Sequence, residues 1–316
     1  EAVNSFNNAL TAIANAAQSN SANAPGSSIN VALYQDLGIE VASENLGLIN
    51  QILDSDSISA LQVDSYFEIK AMVDSYLLIQ FVADGIQGNA DSAALPGLAN
   101  FHTLGLIIEG AAAGKLLGEV IEGLSNTAVR SYSQLQGLAE QVTKIVAVAA
   151  GSGPSLTAAD FADLGFDGVN EGNLSTVLTN IAATSPDGTQ IDEFIELQAL
   201  ISAVKTTAIA KIVAYSQGDG EVPAALQLQD YLDASISIEQ LTQGSVALAN
   251  AALLSNLASS TDADAINTVL LAANTAFRKT VTAAENDIAG NSLSDKDYQD
   301  MGFEILTATE LVKING

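Results

Sequence analysis

Residues 156–183, LTAADFADLGFDGVNEGNLSTVLTNIAA, contain two helix patterns joined by a glycine-centred turn. Thr157 followed by Asp160 is the T-x-x-D form of a capping box, in which each side chain bonds the backbone N–H of the other residue. Gly165 stands where a helix usually ends in the left-handed conformation, which glycine adopts at little cost. This half of the stretch therefore predicts a short helix that ends at a tight turn.

The second half of the stretch predicts another helix. Asn170 and Asn173 are candidate caps, because asparagine side chains accept hydrogen bonds from free N–H groups at helix starts. Apolar residues at helical spacing follow them: Leu174, Val177, Leu178 and Ile181.

Looser versions of this stretch occur at four other places, and all five align on one aromatic residue. These aromatic positions lie 67, 60, 70 and 67 residues apart: Tyr34, Phe101, Phe161, Tyr231 and Tyr298. Four residues after each aromatic comes a small residue: Gly38, Gly105, Gly165, Ser235 or Gly302. Self-similarity at near-constant spacing indicates a repeat. Because Ser235 replaces the glycine, we expect a looser turn there.

The repeat predicts an all-α chain of tandem helical repeats of about 60–70 residues, each with a short, a middle and a long helix, in an elongated or bundled array. No stretch shows the sustained alternation of β-branched residues that is typical of strands. The predicted segments are a closing helix of a preceding repeat plus linker at 1–28, repeat one at 29–93, a degenerate repeat two at 94–154, repeat three at 155–224, repeat four at 225–291 and the start of a further repeat at 292–316.

The spacing of apolar and capping residues also predicts where several helices begin and end. Repeat one predicts a middle helix over 43–53 and a long helix over 57–83, whose apolar stripe begins at Leu61. In repeat three, Thr189 with Asp192 predicts a second capping box at the start of the long helix. In repeat two, small residues are expected to let helices approach closely: Gly110, Gly114 and Gly118.

The first and last segments look like parts of repeats. Residues 1–17 predict a helix with one apolar face: Val3, Phe6, Leu10 and Ile13. Residues 293–316 predict opening helices with capping boxes at Ser294–Asp297 and Thr307–Glu310. Their apolar side chains, namely Tyr298, Met301, Phe303, Ile305 and Leu311, are expected to be partly uncovered. We therefore expect continuation past both segments, within a longer array or from one copy of the chain to the next.

The charge of the chain narrows the choice of partners. Its 37 acidic and 10 basic residues give a formal charge of −27, which repels nucleic acid phosphates and anionic membranes. With no cysteine, the chain has no disulfides and no thiolate metal ligands. No uninterrupted apolar run reaches the roughly 18 residues of a membrane span. The sequence therefore predicts no nucleic acid partner and no membrane span.

No residue is predicted to be catalytic, to bind a cofactor or to hold a metal. His102, the single histidine, has no partner for a triad and is expected to be structural or exposed. The run 185–194 fails the ligand spacing of a calcium loop and predicts a turn. Paired acids near expected helix starts complement the helix dipole and leave weak calcium binding open: Asp54/Asp56, Asp262/Asp264 and Asp295/Asp297. The glycosylation sequon at Asn173 is expected by chance.

The repeated unit resembles the tandem helical repeats of very large bacterial surface and adhesin-like proteins. The residues that carry the resemblance are Thr157, Asp160, Phe161, Gly165, Phe166, Asn173, Leu174, Glu196, Leu197 and Gln198. The resemblance implies an extracellular, non-enzymatic protein of a cell-surface fibre, filament or adhesin stalk. Its partners would be copies of itself or further repeats, end to end. The alternative is a binding module that holds a surface glycan, peptide or protein ligand in grooves between repeats.

Overall fold

The computed structural model of the chain describes residues 2–18, 29–88, 94–153, 155–217, 224–236, 243–256, 261–285, 293–303 and 307–315. These residues form 15 helices and no strand, which confirms the all-α prediction. In chain order the helices are α1 Ala2–Gln18, α2 Val31–Asp36, α3 Ser43–Leu53, α4 Tyr66–Val82, α5 Leu98–Thr103, α6 Ala111–Gly123, α7 Tyr132–Ala149, α8 Ala158–Asp163, α9 Leu174–Ala182, α10 Phe194–Gln217, α11 Leu228–Asp233, α12 Gln243–Ser255, α13 Ala263–Glu285, α14 Asp295–Asp300 and α15 Ala308–Asn315.

The chain divides into two compact units, and each has its own apolar core. Unit 1 comprises Glu1–Asp167 and Leu178–Ala199. In it α1 packs against α2 and α3, α4 against α5 and α6, and α7 against α6 and α8. Its largest fully buried side chains include Tyr34, Ile49, Ile52, Leu53, Ile69, Met72, Tyr76, Phe101 and Phe161. The predicted boundaries of the individual repeats stay a prediction.

Unit 2 comprises Gly168–Val177 and Leu200–Gly316. In it α12 packs against α13, and α14 packs against both of them. One cluster of its core combines residues of α10, α11, α12 and α13, including Ile212, Tyr231, Ala252, Leu253 and Ile266. A second cluster joins α13 to α14 and holds Ala276, Leu293, Tyr298 and Met301.

Five short helices, α2, α5, α8, α11 and α14, end in the same turn. The aromatic residue of each is buried: Tyr34, Phe101, Phe161, Tyr231 and Tyr298. Four residues later the backbone has a positive φ: 76° at Gly38, 73° at Gly105, 84° at Gly165, 56° at Ser235 and 90° at Gly302. The next N–H donates back to the aromatic residue's carbonyl, at 2.8–3.0 Å in all five turns. The left-handed conformation predicted at Gly165 is confirmed, and the equivalent residues of the other four turns share it.

The looser turn expected at Ser235 is wrong. The N–H of Ile236 donates to the Tyr231 carbonyl at 3.0 Å, and the N–H of Ser235 donates to the Leu232 carbonyl at 2.9 Å. These bonds hold Ser235 in the left-handed conformation, which costs a residue with a side chain about 1–2 kcal/mol. The Ser235 hydroxyl also accepts a 3.3 Å hydrogen bond from Asn170 Nδ2.

Two predicted long-helix starts are wrong. Helix α4 begins at Tyr66 rather than near residue 57, because Ser65 and Glu68 form a capping box there. Residues Ala60–Gln62 form a separate 3₁₀ turn, and Leu61 is exposed instead of lying in the buried stripe. Thr189 and Asp192 form no capping box, since the N–H and hydroxyl of Thr189 both donate to Asp187.

The capping boxes predicted at the other helix starts are present. The N–H of Thr157 donates to Asp160 Oδ2 at 2.7 Å, and the N–H of Asp160 donates back to the Thr157 hydroxyl at 3.3 Å. The same pair of bonds joins Ser294 to Asp297 at the start of α14. Thr307 and Glu310 repeat it at the start of α15.

The buried face of α1 differs from the predicted one. Its buried residues are mostly alanine: Ala9, Ile13, Ala16 and Ala17. Ile13 is fully buried, whereas Val3 is 72% exposed. Alanines allow α1 to lie close to α2 and α3. The prediction was based on the larger apolar side chains of α1 and so did not include these alanines.

The apolar residues expected to be uncovered near α14 have mixed outcomes. Tyr298 and Met301 are buried against Ala276, which corrects the prediction for both. Phe303 is 57% exposed and Leu311 is half-buried. Ile305 lies outside the described residues.

The glycines of α6 permit the close approach that the sequence predicted, at two of three positions. A Cβ at Gly114 would lie 2.8 Å from Leu98 Cβ, and one at Gly118 would overlap the carbonyl oxygen of Pro96. Gly110 instead precedes α6 with a φ of 89° and has open space around it.

Among the residues that the structure describes, one helix is long and apolar enough, by length and composition alone, to cross a membrane. It is α10, with 24 residues. Its Lys211 makes a 2.6 Å ion pair with Asp230. The predicted absence of a membrane span stays a prediction.

Candidate functional site

One polar contact recurs where a short helix meets the long helix that precedes it. The third residue of α14, Asp297, accepts a 2.5 Å hydrogen bond from Lys279 of α13. The third residue of α11, Asp230, accepts a 2.6 Å hydrogen bond from Lys211 of α10. Each aspartate also closes the N-terminal turn of its own helix. One carboxylate therefore both caps the short helix and ties it to the preceding helix.

At two other short helices, the preceding helix contributes a neutral side chain to the contact. Gln141 of α7 donates to Asp160 of α8 at 3.3 Å. Asn100 of α5 donates to the hydroxyl of Ser75 of α4 at 3.2 Å. We call these four contacts the junctions. They place one side of each short helix against its predecessor.

A group of three aromatic rings lies partly exposed on unit 1: Phe6 and Tyr66 are half-buried and Phe67 is exposed. The ring centroids of Phe6 and Tyr66 are 6.3 Å apart, and those of Tyr66 and Phe67 are 5.4 Å apart with the rings edge to face. Phe67 is 79% exposed. Val3 lies one turn before Phe6 on α1 and is exposed as well. We call Val3, Phe6, Tyr66 and Phe67 the aromatic patch.

Carboxylates border the aromatic patch. Asp64 and Glu68 flank Tyr66 and Phe67 in sequence, and their side chains share a hydrogen bond. That hydrogen bond and the Glu68 charge raise the pKa of Asp64. Glu68 also accepts hydrogen bonds from the Ser65 N–H and hydroxyl, which lower its pKa. The patch therefore combines apolar rings with negative charge at its edge.

A groove on unit 2 runs between α12, α13 and the turn after α11. It encloses about 300 Å³. Its lining mixes apolar, hydroxyl and amide side chains: Ser235, Ile236, Ser245, Leu248, Ala249, Asn267, Leu270, Leu271, Ala273 and Asn274. Amides can donate and accept hydrogen bonds, so this groove suits a ligand with both polar and apolar groups.

The exposed side of α13 continues past the groove. Leu271, Phe277 and Val281 are exposed apolar residues, and Arg278 is exposed among them. Most other basic residues are held in ion pairs: Lys70, Lys115, Lys144, Lys211, Lys279 and Lys296. Arg278 has no ion-pair partner within the part of the chain that the structure describes. We call Leu271, Phe277, Arg278 and Val281 the α13 face.

A charged cluster on unit 1 surrounds the start of α10. Lys115 of α6 pairs with Asp192 at 3.0 Å and with Glu193 at 2.7 Å. Glu119, one turn further along α6, accepts a 2.6 Å hydrogen bond from the N–H of Phe194. Burial raises the pKa of Glu119. The cluster caps α10 from another helix, so it has a structural role that replaces the predicted Thr189–Asp192 box.

The residues considered as possible functional sites in the sequence have structural roles or are exposed in the fold. His102 is exposed, with Nε2 3.0 Å from the Ile108 carbonyl, as predicted for a structural or exposed residue. Asn173 is fully buried and its amide donates to the Gly168 carbonyl, so the sequon is inaccessible in the folded unit. Asn170 caps the turn before α9 by accepting from the Gly172 N–H. In the 185–194 run, Asp187 accepts both bonds from Thr189, as in a simple turn.

The paired acids do not converge on a metal site. Asp262 and Asp264 lie at the start of α13, and Asp295 and Asp297 at the start of α14, as predicted. Asp54 instead follows the end of α3, which corrects the prediction for that pair. Among the described ranges, no three His, Asp or Glu side chains lie close enough to hold a metal ion. Weak calcium binding stays a prediction.

Sequence reasoning missed the aromatic patch, the α13 face and the α10 cluster. The aromatic patch and the α10 cluster join residues from separate helices, and the α13 face is an exposed apolar surface on a single helix. Comparison of the chain with protein families, curated proteins and solved structures finds no match. The family resemblance therefore stays a prediction.

Proposed function

We propose that this chain is a non-enzymatic structural protein of a bacterial cell-surface fibre or adhesin stalk, and that copies of it associate with one another. The observation that carries the proposal is the recurrence of one turn at five short helices, with a junction to the preceding helix at four of them. Such units gain stability mainly from neighbours, which is how helical repeat arrays are built.

Exposed apolar surface gives the association a physical basis. The aromatic patch and the α13 face each leave large side chains in contact with water. Contiguous exposed apolar surface commonly marks a site of protein interaction. An extracellular location fits a cysteine-free chain with a charge of −27, whose high charge keeps it soluble.

Negative-stain electron microscopy of the purified chain tests this proposal. At high protein concentration and physiological salt we expect strings of joined copies, which shorten on dilution. Isolated particles at every concentration, of the size of a single 32.4 kDa chain, would contradict self-association.

The unit 2 groove favours a second candidate function, a module that binds a peptide or glycan. Its amides, Asn267 and Asn274, lie beside the exposed Leu271. Titration of glycan and peptide panels, followed by NMR of labelled chain, tests this. The variants Asn267→Ala and Asn274→Ala should lose binding of a ligand that occupies the groove. Thr275→Ala, at an exposed position of the same helix, should keep it. Binding unaffected by the asparagine substitutions would contradict it.

A further inference from the structure

We propose that the aromatic patch of one copy of the chain binds the α13 face of a second copy, with Arg278 seated against the rings between Asp64 and Glu68. The inference rests on the proposed self-association, and it names the two surfaces that carry it. Each surface presents exposed apolar side chains, Val3 and Phe67 on the patch and Leu271, Phe277 and Val281 on the α13 face, and the two surfaces differ in charge.

The aromatic patch has the chemistry to bind an arginine. Its three rings are in contact and form one apolar surface, with centroids 5.4 Å apart for the edge-to-face pair and 6.3 Å apart for the tilted pair. A guanidinium is attracted to the face of an aromatic ring and also stacks on it. The carboxyl groups of Asp64 and Glu68 at the edge of the patch supply the opposite charge.

The close spacing of those two carboxyl groups strengthens the argument. The hydrogen bond that they share, together with the repulsion between their charges, raises the pKa of Asp64. An incoming cation relieves this repulsion, because an opposite charge favours the ionised form of both groups. Lys70, the nearest basic residue along α4, is already paired with Asp74 at 2.5 Å.

The α13 face supplies the matching partner within the same sequence. Arg278 is exposed and is flanked by the apolar side chains of Phe277 and Val281. An arginine between apolar residues can pair with carboxylates while its neighbours cover the rings. Aromatic and arginine side chains are the residues that most often dominate binding energy at protein interfaces.

Net charge decides the conditions under which the contact forms. Two copies with a charge of −27 each repel one another at low ionic strength. At about 0.15 M salt the Debye length falls to about 8 Å, so repulsion between distant charges is screened. Charges in direct contact are screened much less. We therefore expect association to be strongest near physiological salt and weaker at about 0.01 M.

The contact joins two different surfaces, so each copy offers one of each. Such heterologous contacts generate open chains or rings instead of closed dimers. A copy with a damaged α13 face keeps its patch, and a copy with a damaged patch keeps its α13 face. In a mixture of the two damaged chains, the intact patch of one chain can bind the intact α13 face of the other. The resulting pair has no intact surface left, so no further copy can join.

The test uses full-length chains in sedimentation velocity. Arg278→Glu damages the α13 face, and Asp64→Lys with Phe67→Ser damages the patch; these positions are exposed, and circular dichroism checks the fold. Lys205→Glu, an exposed position on α10, is the matched charge control. We expect each damaged chain alone to associate at least about tenfold more weakly than wild type, and the control to behave as wild type.

The mixture gives the decisive result. We expect an equimolar mixture of the two damaged chains to form a species of two chains and nothing larger. If wild type associates but Arg278→Glu associates equally well, or the mixture stays monomeric, the inference is overturned and self-association stands. If wild type is monomeric at every concentration, the proposed self-association fails together with the inference.

Discussion

The hydroxyl of Tyr231 donates a 2.5 Å hydrogen bond to Oδ1 of Asn250 inside the core of unit 2. The Asn250 amide donates in turn to the Leu226 carbonyl at 3.1 Å. Both side chains are buried. Burial raises the pKa of Tyr231, so the phenol stays neutral and donates. The pair links a short helix, the chain entering it and α12.

The same arrangement recurs in unit 1. The hydroxyl of Tyr34 lies 3.5 Å from Asn50 Oδ1, and the Asn50 amide donates to the Ile29 carbonyl at 2.8 Å. In each case the carbonyl belongs to the residue five positions before the tyrosine. The short helices with phenylalanine, at Phe101 and Phe161, have no hydroxyl to satisfy.

Replacing Asn250 with leucine should therefore be costly. Asn250→Leu leaves the Tyr231 hydroxyl and the Leu226 carbonyl buried without partners, at about 1–3 kcal/mol for each group. We expect a loss of about 2–6 kcal/mol in the free energy of unfolding, measured by urea denaturation. Adding Tyr231→Phe should recover part of it, since the orphaned hydroxyl is removed. Strict additivity of the two substitutions would show that the residues are not coupled.

The junction at Asp297 predicts sensitivity to acid. Burial alone would raise the pKa of Asp297, but hydrogen bonds from Lys279 and Ser294 lower it to about 2. A carboxyl group with a lowered pKa in the folded state stabilises above its unfolded value of 3.8 and loses that contribution as pH falls toward 2. We expect about 1–2 kcal/mol, allowing for the half-exposed Lys279. Chemical denaturation from pH 5 to pH 2 measures it.

Asp297→Asn is the control for that series. It should be less stable at neutral pH and lose less stability between pH 4 and pH 2. Equal acid dependence in both chains would show that the stabilisation lies elsewhere.

Two glycines in equivalent turns should differ in their tolerance of alanine. Gly38→Ala meets open space and carries only the left-handed backbone cost of about 1–2 kcal/mol. A Cβ at Gly302 would also overlap the backbone carbonyl of Ala251. Overpacking adds about 1–3 kcal/mol, so Gly302→Ala should lower the free energy of unfolding further. Similar losses at both positions in thermal or urea unfolding would contradict the packing of α14 on α12.

The aromatic anchor of α8 should matter far more than an exposed ring. Phe161 is fully buried and meets Phe166 edge to face, while Phe166 stacks on Phe194 at 4.5 Å between ring centroids. We expect Phe161→Ala to cost about 3–5 kcal/mol in urea unfolding. Phe67→Ala, at a largely exposed position, serves as the control and should cost under about 1 kcal/mol. Equal losses in the free energy of unfolding for the two variants would show that Phe161 does not anchor α8.

Sequence alone predicted the features that depend on neighbouring residues. The capping boxes and the glycine turns are closed by residues three to five positions apart, so their patterns are visible locally. The start of α10 could not be predicted, because Glu119 caps Phe194 from 75 residues away. The buried face of α1 was missed because alanine carries a weak hydrophobic signal. The aromatic patch was missed because Phe6 and Tyr66 meet only in the folded unit.

Sedimentation velocity of the wild-type chain over a hundredfold range of concentration tests whether copies of the chain associate with one another. At physiological salt, we expect a series of species at whole multiples of 32.4 kDa, with the larger species becoming more abundant as concentration rises. A single monomeric species across the whole range would contradict it.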